Sequence, residues 1–357
     1  MGMDNGCAGS KRCAKCLAIE NRAFGIVIGG DGVCNHCKID PARYKVMSWA
    51  EKKLRFDRLI DEKRGRHRYD GMIMMSGGKD STYLALQLKS EYGLNLLGMS
   101  VDNGFEYPDS FDNAKKVCDR LGIPYIILHP DMIELRRFYR YILTEKHLRQ
   151  EDYSQICFYC GNYLKRQVDI FAEKFDAAYI FSGYNPDQVW ELGEAGIVES
   201  DPGRIQYQQM IKQVLDGKME DARRHTRQKE GPDLAAYFEP PRTPILYYYQ
   251  HFPYQPLSML DTIRSRLDWQ PIDRFRKNYL VSGCRLVCAL IHLCRRKNIP
   301  DYMQKEFSAQ IRRGTLTREQ VEQVLAEIKF TDAEIDQTLA ELDLSCGQML
   351  DLPSSGL

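Results

Sequence analysis

The apolar run Met72-Ile73-Met74-Met75 stops at Ser76-Gly77-Gly78-Lys79-Asp80-Ser81, and apolar residues at helical spacing, "STYLALQLKSEYG", follow at once. A fully apolar strand belongs inside a parallel sheet, and the helix after it must cross one face of that sheet. The same rhythm then repeats along the chain. "YDGMIMMS" (69–76), "LNLLGMSVD" (94–102), "IPYIILHP" (123–130) and "AAYIFSGYN" (177–185) read as four strands, with helices ending at Gly93 and Gly122 and further helix between 131 and 175. This alternation predicts an α/β, Rossmann-like fold, a parallel sheet with helices on both faces and ligands at the carboxyl ends of its strands.

The turn at 76–81 has a chemistry of its own. Adjacent glycines let the backbone approach an anion, the helix start carries partial positive charge, and Ser76, Ser81 and Lys79 add donors. Its ligand is therefore a phosphate. The common triphosphate loop G-x-x-x-x-G-K-[ST] does not fit, because here the glycines are adjacent and Asp80 follows the lysine.

Fifty basic against forty-nine acidic residues leave a net charge of +1, so the total charge announces no polyanion. A small-molecule or nucleotide substrate is expected in preference to tRNA. The basic runs "CRRKN" and "QIRRG" read as solvated helix faces, and "YYYQHFPYQP" as tyrosines packed under a loop or lining a pocket. No run approaches the roughly 18 apolar residues of a membrane span and the first residues lack a secretory core, so a cytoplasmic protein with no membrane partner is expected.

Twelve cysteines in a reducing compartment are read as metal ligands, reactive thiols or small core residues. Cys13, Cys16, Cys34 and Cys37 form a C-x2-C-x17-C-x2-C array, the spacing of a tetrahedral Zn2+ site, with Cys7 and His36 as alternative ligands. Residues 1–45 then make a zinc-ribbon-like module folded around its metal rather than around a core. Cys157 and Cys160 lie at the start of a predicted helix, whose N-terminus lowers a thiol pKa. Cys288 and Cys294 fall in an apolar helix as core residues, whereas Cys284 precedes it.

Ser76 to Ser81 resembles, residue for residue, the SGGKDS signature of the PP-loop ATP pyrophosphatases, which cleave ATP between its α- and β-phosphates. The resemblance implies that Ser76, Gly77, Gly78, Lys79 and Ser81 hold the β- and γ-phosphates and that Asp80 helps place Mg2+. It also implies an adenosine site at "SVDNGF", with Asp102 and Asn103, and a nucleotide-facing loop at "SGYNPD", with Gly183, Asn185 and Asp187. The Cys157-x-x-Cys160-Gly161 run with Lys165-Arg166 resembles the active-site cysteines of the tRNA-thiolating PP-loop enzymes. In those, two such cysteines and a third hold a [4Fe–4S] cluster with one iron open to sulfide. Cys284, Cys288 and Cys294 are the candidates for the third, and Cys284 is preferred.

Another branch, the N-acetyl sugar amidotransferases, is similar in the paired CxxC with "GVC", in "SGGKDSTY" with "YGLN", and in "IRRGTLTREQVEQVLAEI". Its members take ammonia from a partner glutaminase and lack a matching pair at 157–160. The reading is therefore ATP-dependent thiolation, in which ATP activates a carbonyl oxygen and sulfur from a desulfurase or sulfide, carried by Cys157 and Cys160, replaces it. Amide formation on a sugar is one alternative, thiolation of tRNA another, and a nucleotide-binding metal or redox sensor a third. The organisation expected is a zinc module (1–45), an ATP pyrophosphatase domain (46–255) and a helical C-terminal region (256–357) able to form a homodimer face. Within it, 200–255 is left open between insertion, lid and strand.

Overall fold

The computed structural model describes residues 11–22, 25–40, 42, 44, 46–146, 148, 153, 155–189, 197–198, 201–226, 239–275 and 283–352. After α1 (Trp49–Lys63) come β1 (Gly71–Met74), α2 (Lys79–Ser90), β2 (Leu96–Val101), α3 (Pro108–Leu121), β3 (Tyr125–Leu128), α4 (Met132–Thr144), α5 (Gln155–Lys174) and β4 (Ile180–Ser182). Then follow α6 (Pro202–Thr226), β5 (Ile245–Tyr247), α7 (Pro256–Leu267), α8 (Arg285–Arg296), α9 (Tyr302–Arg313), α10 (Arg318–Glu327), α11 (Asp332–Ala340) and α12 (Cys346–Asp351).

The strands form one parallel sheet in the order β3-β2-β1-β4-β5. The order changes direction between β1 and β4, and such a switch point opens a crevice outside the carboxyl ends of the two strands. The 76–81 loop leaves β1 there. Side chains alternate across the sheet, so Met72, Leu97, Met99 and Ile180 pack on Val168 and Ala172 of α5, while Ile73, Leu96 and Phe181 face α2, α3 and α7. Helices thus cover both faces.

Local signals explain the boundaries. Ser48 and Glu51 close a capping box on α1, Pro108 sets the first turn of α3, and Gly122 ends that helix at φ 62°. α2 begins at Lys79, two residues before the apolar pattern, because Gly78 serves as its N-cap. β5 resolves the segment left open between insertion, lid and strand. It is only three residues long and follows Pro240, Pro241 and Pro244, which hid its strand signal. Asp169 on α5 holds the approach to it, accepting from the backbone N–H of Arg242 (3.1 Å) and Thr243 (2.8 Å) while paired with Arg166.

The N-terminal module and the C-terminal helices share apolar packing. Leu17 packs with Met303 of α9 and Phe307, and Cys13, Cys16 and Cys34 join the core that holds α4, α5 and α8. No helix among the described residues is long and apolar enough to cross a membrane.

Candidate active site

A cavity of about 340 Å³ opens at the carboxyl ends of the strands. The loop Ser76–Ser81 lines it, as do Cys157, Cys160 and Cys284. Gly77 has φ 71°, and a β-carbon there would collide with the Ser110 carbonyl, so the turn admits glycine alone. Gly78 gives α2 no side-chain cap, which leaves the first amides of a twelve-residue helix as donors at the cavity. Lys79 is buried, and its Nζ lies 2.8 Å from the Asp80 carboxylate and donates to Tyr254 Oη at 2.9 Å. Trp269 Nε1 donates to the Gly77 carbonyl at 2.9 Å, and Tyr249 Oη to the Asp80 carbonyl at 2.8 Å. The tyrosine-rich run therefore packs beneath the loop, and Tyr254 also fixes its lysine.

Ser76, Gly77, Gly78, Lys79, Asp80, Ser81, Asn103 and Gly183 all line the cavity. Asp102, Asn185 and Asp187, expected to face the nucleotide, are not among its lining residues. Asp102 accepts from the Gly104 N–H and lies 3.1 Å from His129 Nδ1. Asn185 accepts from the Asp187 N–H at 2.9 Å and donates to Glu306. Asp187 is fully buried and pairs with Arg313. These side chains shape loops behind the cavity wall.

Cys157 and Cys160 stand near the start of α5, and Cys284 is the N-cap of α8. Tyr139 Oη donates to Cys160 Sγ at 3.1 Å. Cys288 and Cys294 are buried inside α8 and do not line the cavity. At Cys160 the lowered thiol pKa expected of a helix start is not found, because burial pushes it up to about 12, and burial raises Cys284 well above the ordinary range too. Thiols held neutral in this way are weak nucleophiles, whereas binding to a metal removes the proton outright. Cys157, Cys160 and Cys284 all line the one cavity, a set of three thiols of the kind that holds an iron–sulfur cluster.

Two carboxylates of the cavity had no warning in the sequence. Glu106, just beyond "SVDNGF", is pushed up to about 7 by burial, and Glu306 of α9 likewise to about 7. Tyr254 had a faint signal in the aromatic run. Glu306 comes from a distant helix that only tertiary packing brings to the loop.

The second cysteine group lies in the N-terminal module. The Sγ atoms of Cys13, Cys16, Cys34 and Cys37 all lie within 4.8 Å of one another, with Cys16 and Cys34 3.6 Å apart and Cys13 and Cys37 3.8 Å. A tetrahedral ion with Zn–S bonds of about 2.3 Å sets its sulfurs about 3.8 Å apart, so the residues fit Zn2+. Arg312 Nη1 lies 3.1 Å from Cys16 Sγ. His36 is outside this group and packs against Gly203, and Cys7 lies outside the described residues.

No family model matches the chain. Among curated proteins, the cytoplasmic tRNA 2-thiolation protein 1 of Chlamydomonas reinhardtii is 29% identical over 154 residues, 41% of this chain and 42% of that protein. The protein of the same name from Dictyostelium discoideum is 28% identical over 176 residues, 47% of each chain. In its Ser76–Ser81 loop the chain resembles the PP-loop ATP pyrophosphatases. The chain matches less than half the length of those curated relatives.

Among solved structures, a U34-tRNA thiolase from Methanococcus maripaludis with its [4Fe-4S] cluster covers 97% of this chain and 98% of its own, at 17% identity and TM-score 0.35. An NH3-dependent NAD synthetase from Campylobacter jejuni covers 62% and 94%, at 14% identity and TM-score 0.31. Overlap this loose carries no function.

Proposed function

We propose that this PP-loop protein is an ATP-dependent sulfurtransferase that replaces a carbonyl oxygen of a tRNA nucleobase with sulfur. The observation that carries the reading is the single cavity shared by the loop Ser76–Ser81 and by Cys157, Cys160 and Cys284. The choice of tRNA over a free small molecule follows the names of the curated relatives.

The residues divide the work. The uncapped amides of α2, Ser76, Ser81 and Lys79 hold the β- and γ-phosphates and stabilise the pyrophosphate as charge gathers on it. Asp80, beside Lys79, is placed to hold Mg2+, which would offset phosphate charge when bound. The acceptor's carbonyl oxygen attacks the α-phosphorus, the α–β bridge breaks, and pyrophosphate leaves. The ring nitrogen gives up its proton as the carbonyl becomes an adenylated imidate. Hydrosulfide then bonds to that carbon, AMP departs with the oxygen, and the proton of hydrosulfide returns to the ring nitrogen. No electrons are gained or lost.

Cys157, Cys160 and Cys284 would hold the cluster, whose open iron supplies a binding place for hydrosulfide beside the adenylate. Glu306 and Tyr254 keep the base of the loop dry and in place. The four thiols of Cys13, Cys16, Cys34 and Cys37 would hold Zn2+ away from the reaction, for folding.

The test is AMP and pyrophosphate release from ATP by anaerobically reconstituted protein. Release that requires both tRNA and sulfide, and that Cys157→Ala abolishes, is the expected result. Release driven by ammonia and indifferent to Cys157→Ala would replace this reading with amide formation.

A further inference from the structure

The turn after β2 is stitched to the residues before α8. Tyr107 N–H donates to the Gly283 carbonyl at 2.8 Å, Arg285 N–H to the Phe105 carbonyl at 2.7 Å, and Glu106 forms an antiparallel bridge with Cys284. This pairing brings the Glu106 carboxylate to the wall that carries Cys284. Gly283 leaves the space for it, since a β-carbon there would lie 3.2 Å from Glu106 Oε2 and 2.6 Å from Ser110 Oγ. Asn103 links the group, donating from Nδ2 to Glu106 Oε1 at 3.0 Å, facing Cys284 Sγ at 3.8 Å, and hydrogen-bonding Cys160.

Among the described residues no lysine or arginine pairs with Glu106, whose partner is the amide of Asn103. A carboxylate and three thiols turned into one cavity repel one another once ionised. A cation set among them removes that repulsion. Thiolates are soft donors that hold iron in a cluster, while a carboxylate is a harder donor and exchanges more easily.

We propose that Glu106 is the fourth protein ligand of the cluster held by Cys157, Cys160 and Cys284, an oxygen donor on the iron those cysteines leave open, and that hydrosulfide displaces it. The inference rests on the cluster reading above. The step is a ligand exchange in which the Fe–O bond to Glu106 breaks and an Fe–S bond to hydrosulfide forms. The carboxylate leaves as an anion still held by Asn103, one anionic ligand replaces another, and no electron moves. Glu106 thereby guards the open iron until sulfur arrives.

The test uses the full chain and its Glu106→Gln and Glu106→Asp variants, reconstituted anaerobically with iron and sulfide and desalted. Iron and labile sulfide are measured first. The reduced protein is then titrated with sodium sulfide and followed by electron paramagnetic resonance. The amide introduced by Glu106→Gln is neutral but can still accept from Asn103, so the fold is kept. The expected result is equal iron in all three, a changed spectrum for Glu106→Gln before any sulfide, and half-saturation at about tenfold less sulfide than wild type. Glu106→Asp, which keeps the charge with a shorter reach, falls between the two. Superimposable spectra and equal half-saturation at equal iron content would overturn the role of Glu106 and leave the cluster standing. A wild-type protein without iron or sulfide would overturn the cluster reading, and this inference with it.

Discussion

Lys79 is held on two sides, by the Asp80 carboxylate and by Tyr254 Oη, so its ammonium is fixed before any nucleotide arrives. Removing one preorganised donor from developing charge costs about a hundredfold or more in rate. Lys79→Gln is expected to lower pyrophosphate release by that factor with an unchanged far-ultraviolet circular dichroism spectrum. Glu306 makes a different kind of prediction. Burial raises its pKa to about 7, so the folded state keeps a proton that the unfolded chain gives up near the ordinary value of 4.5. Its stabilising contribution is complete below that ordinary value and fades as pH rises through about 7. The full loss is at most about 3 kcal/mol. Urea unfolding of the nucleotide-free protein is expected to show stability falling from about pH 5 to about pH 8. Glu306→Gln should flatten much of that fall. A part remains, because Glu106 titrates with the same sign.

At the scale of elements, the loop and β5 depend on single residues. Gly77→Ala would push a methyl into the Ser110 carbonyl at a positive φ, so it is expected to abolish ATP binding in calorimetry while the sheet survives. Asp169 is fully buried with three donors on it, and Asp169→Ala strands two backbone amides and leaves Arg166 with Glu239 alone. A loss of about 3 kcal/mol or more is expected in urea unfolding at neutral pH. Four of the five strands were legible because each is an apolar run closed by glycine or a polar turn. β5 was not, since three residues after a proline cluster carry no period. The thiols show the opposite failure. Their helix start was visible in the sequence, but the burial that raises Cys160 and Cys284 is set by α4, the turn after β2 and α8 together.

Across the whole molecule, charges that composition leaves nearly balanced are arranged in buried pairs. Arg312 and Arg313, read from sequence as a solvated face, instead neutralise Asp201 and Asp187, and Arg312 also reaches Cys16. Nothing in "QIRRG" distinguishes a buried pair from an exposed one, because the partners lie more than a hundred residues away. The four-thiol module therefore leans on α9, and Leu17 packs there as well. Stripping the metal from Cys13, Cys16, Cys34 and Cys37 with a strong chelator is expected to lower the melting temperature of the whole chain in scanning calorimetry. An unchanged melting temperature would mean that these thiols hold no structural ion.

The central claim is that ATP cleavage and sulfur delivery share one cavity, and nucleoside mass spectrometry of tRNA tests it most directly. The tRNA is incubated anaerobically with reconstituted protein, ATP, Mg2+ and sulfide, then digested. The account expects a nucleoside carrying sulfur in place of oxygen, formed with one AMP and one pyrophosphate each, and absent when Lys79→Gln or Cys160→Ala is used. AMP and pyrophosphate without any sulfur-bearing nucleoside, or a sulfur product that persists in Cys160→Ala, would contradict it.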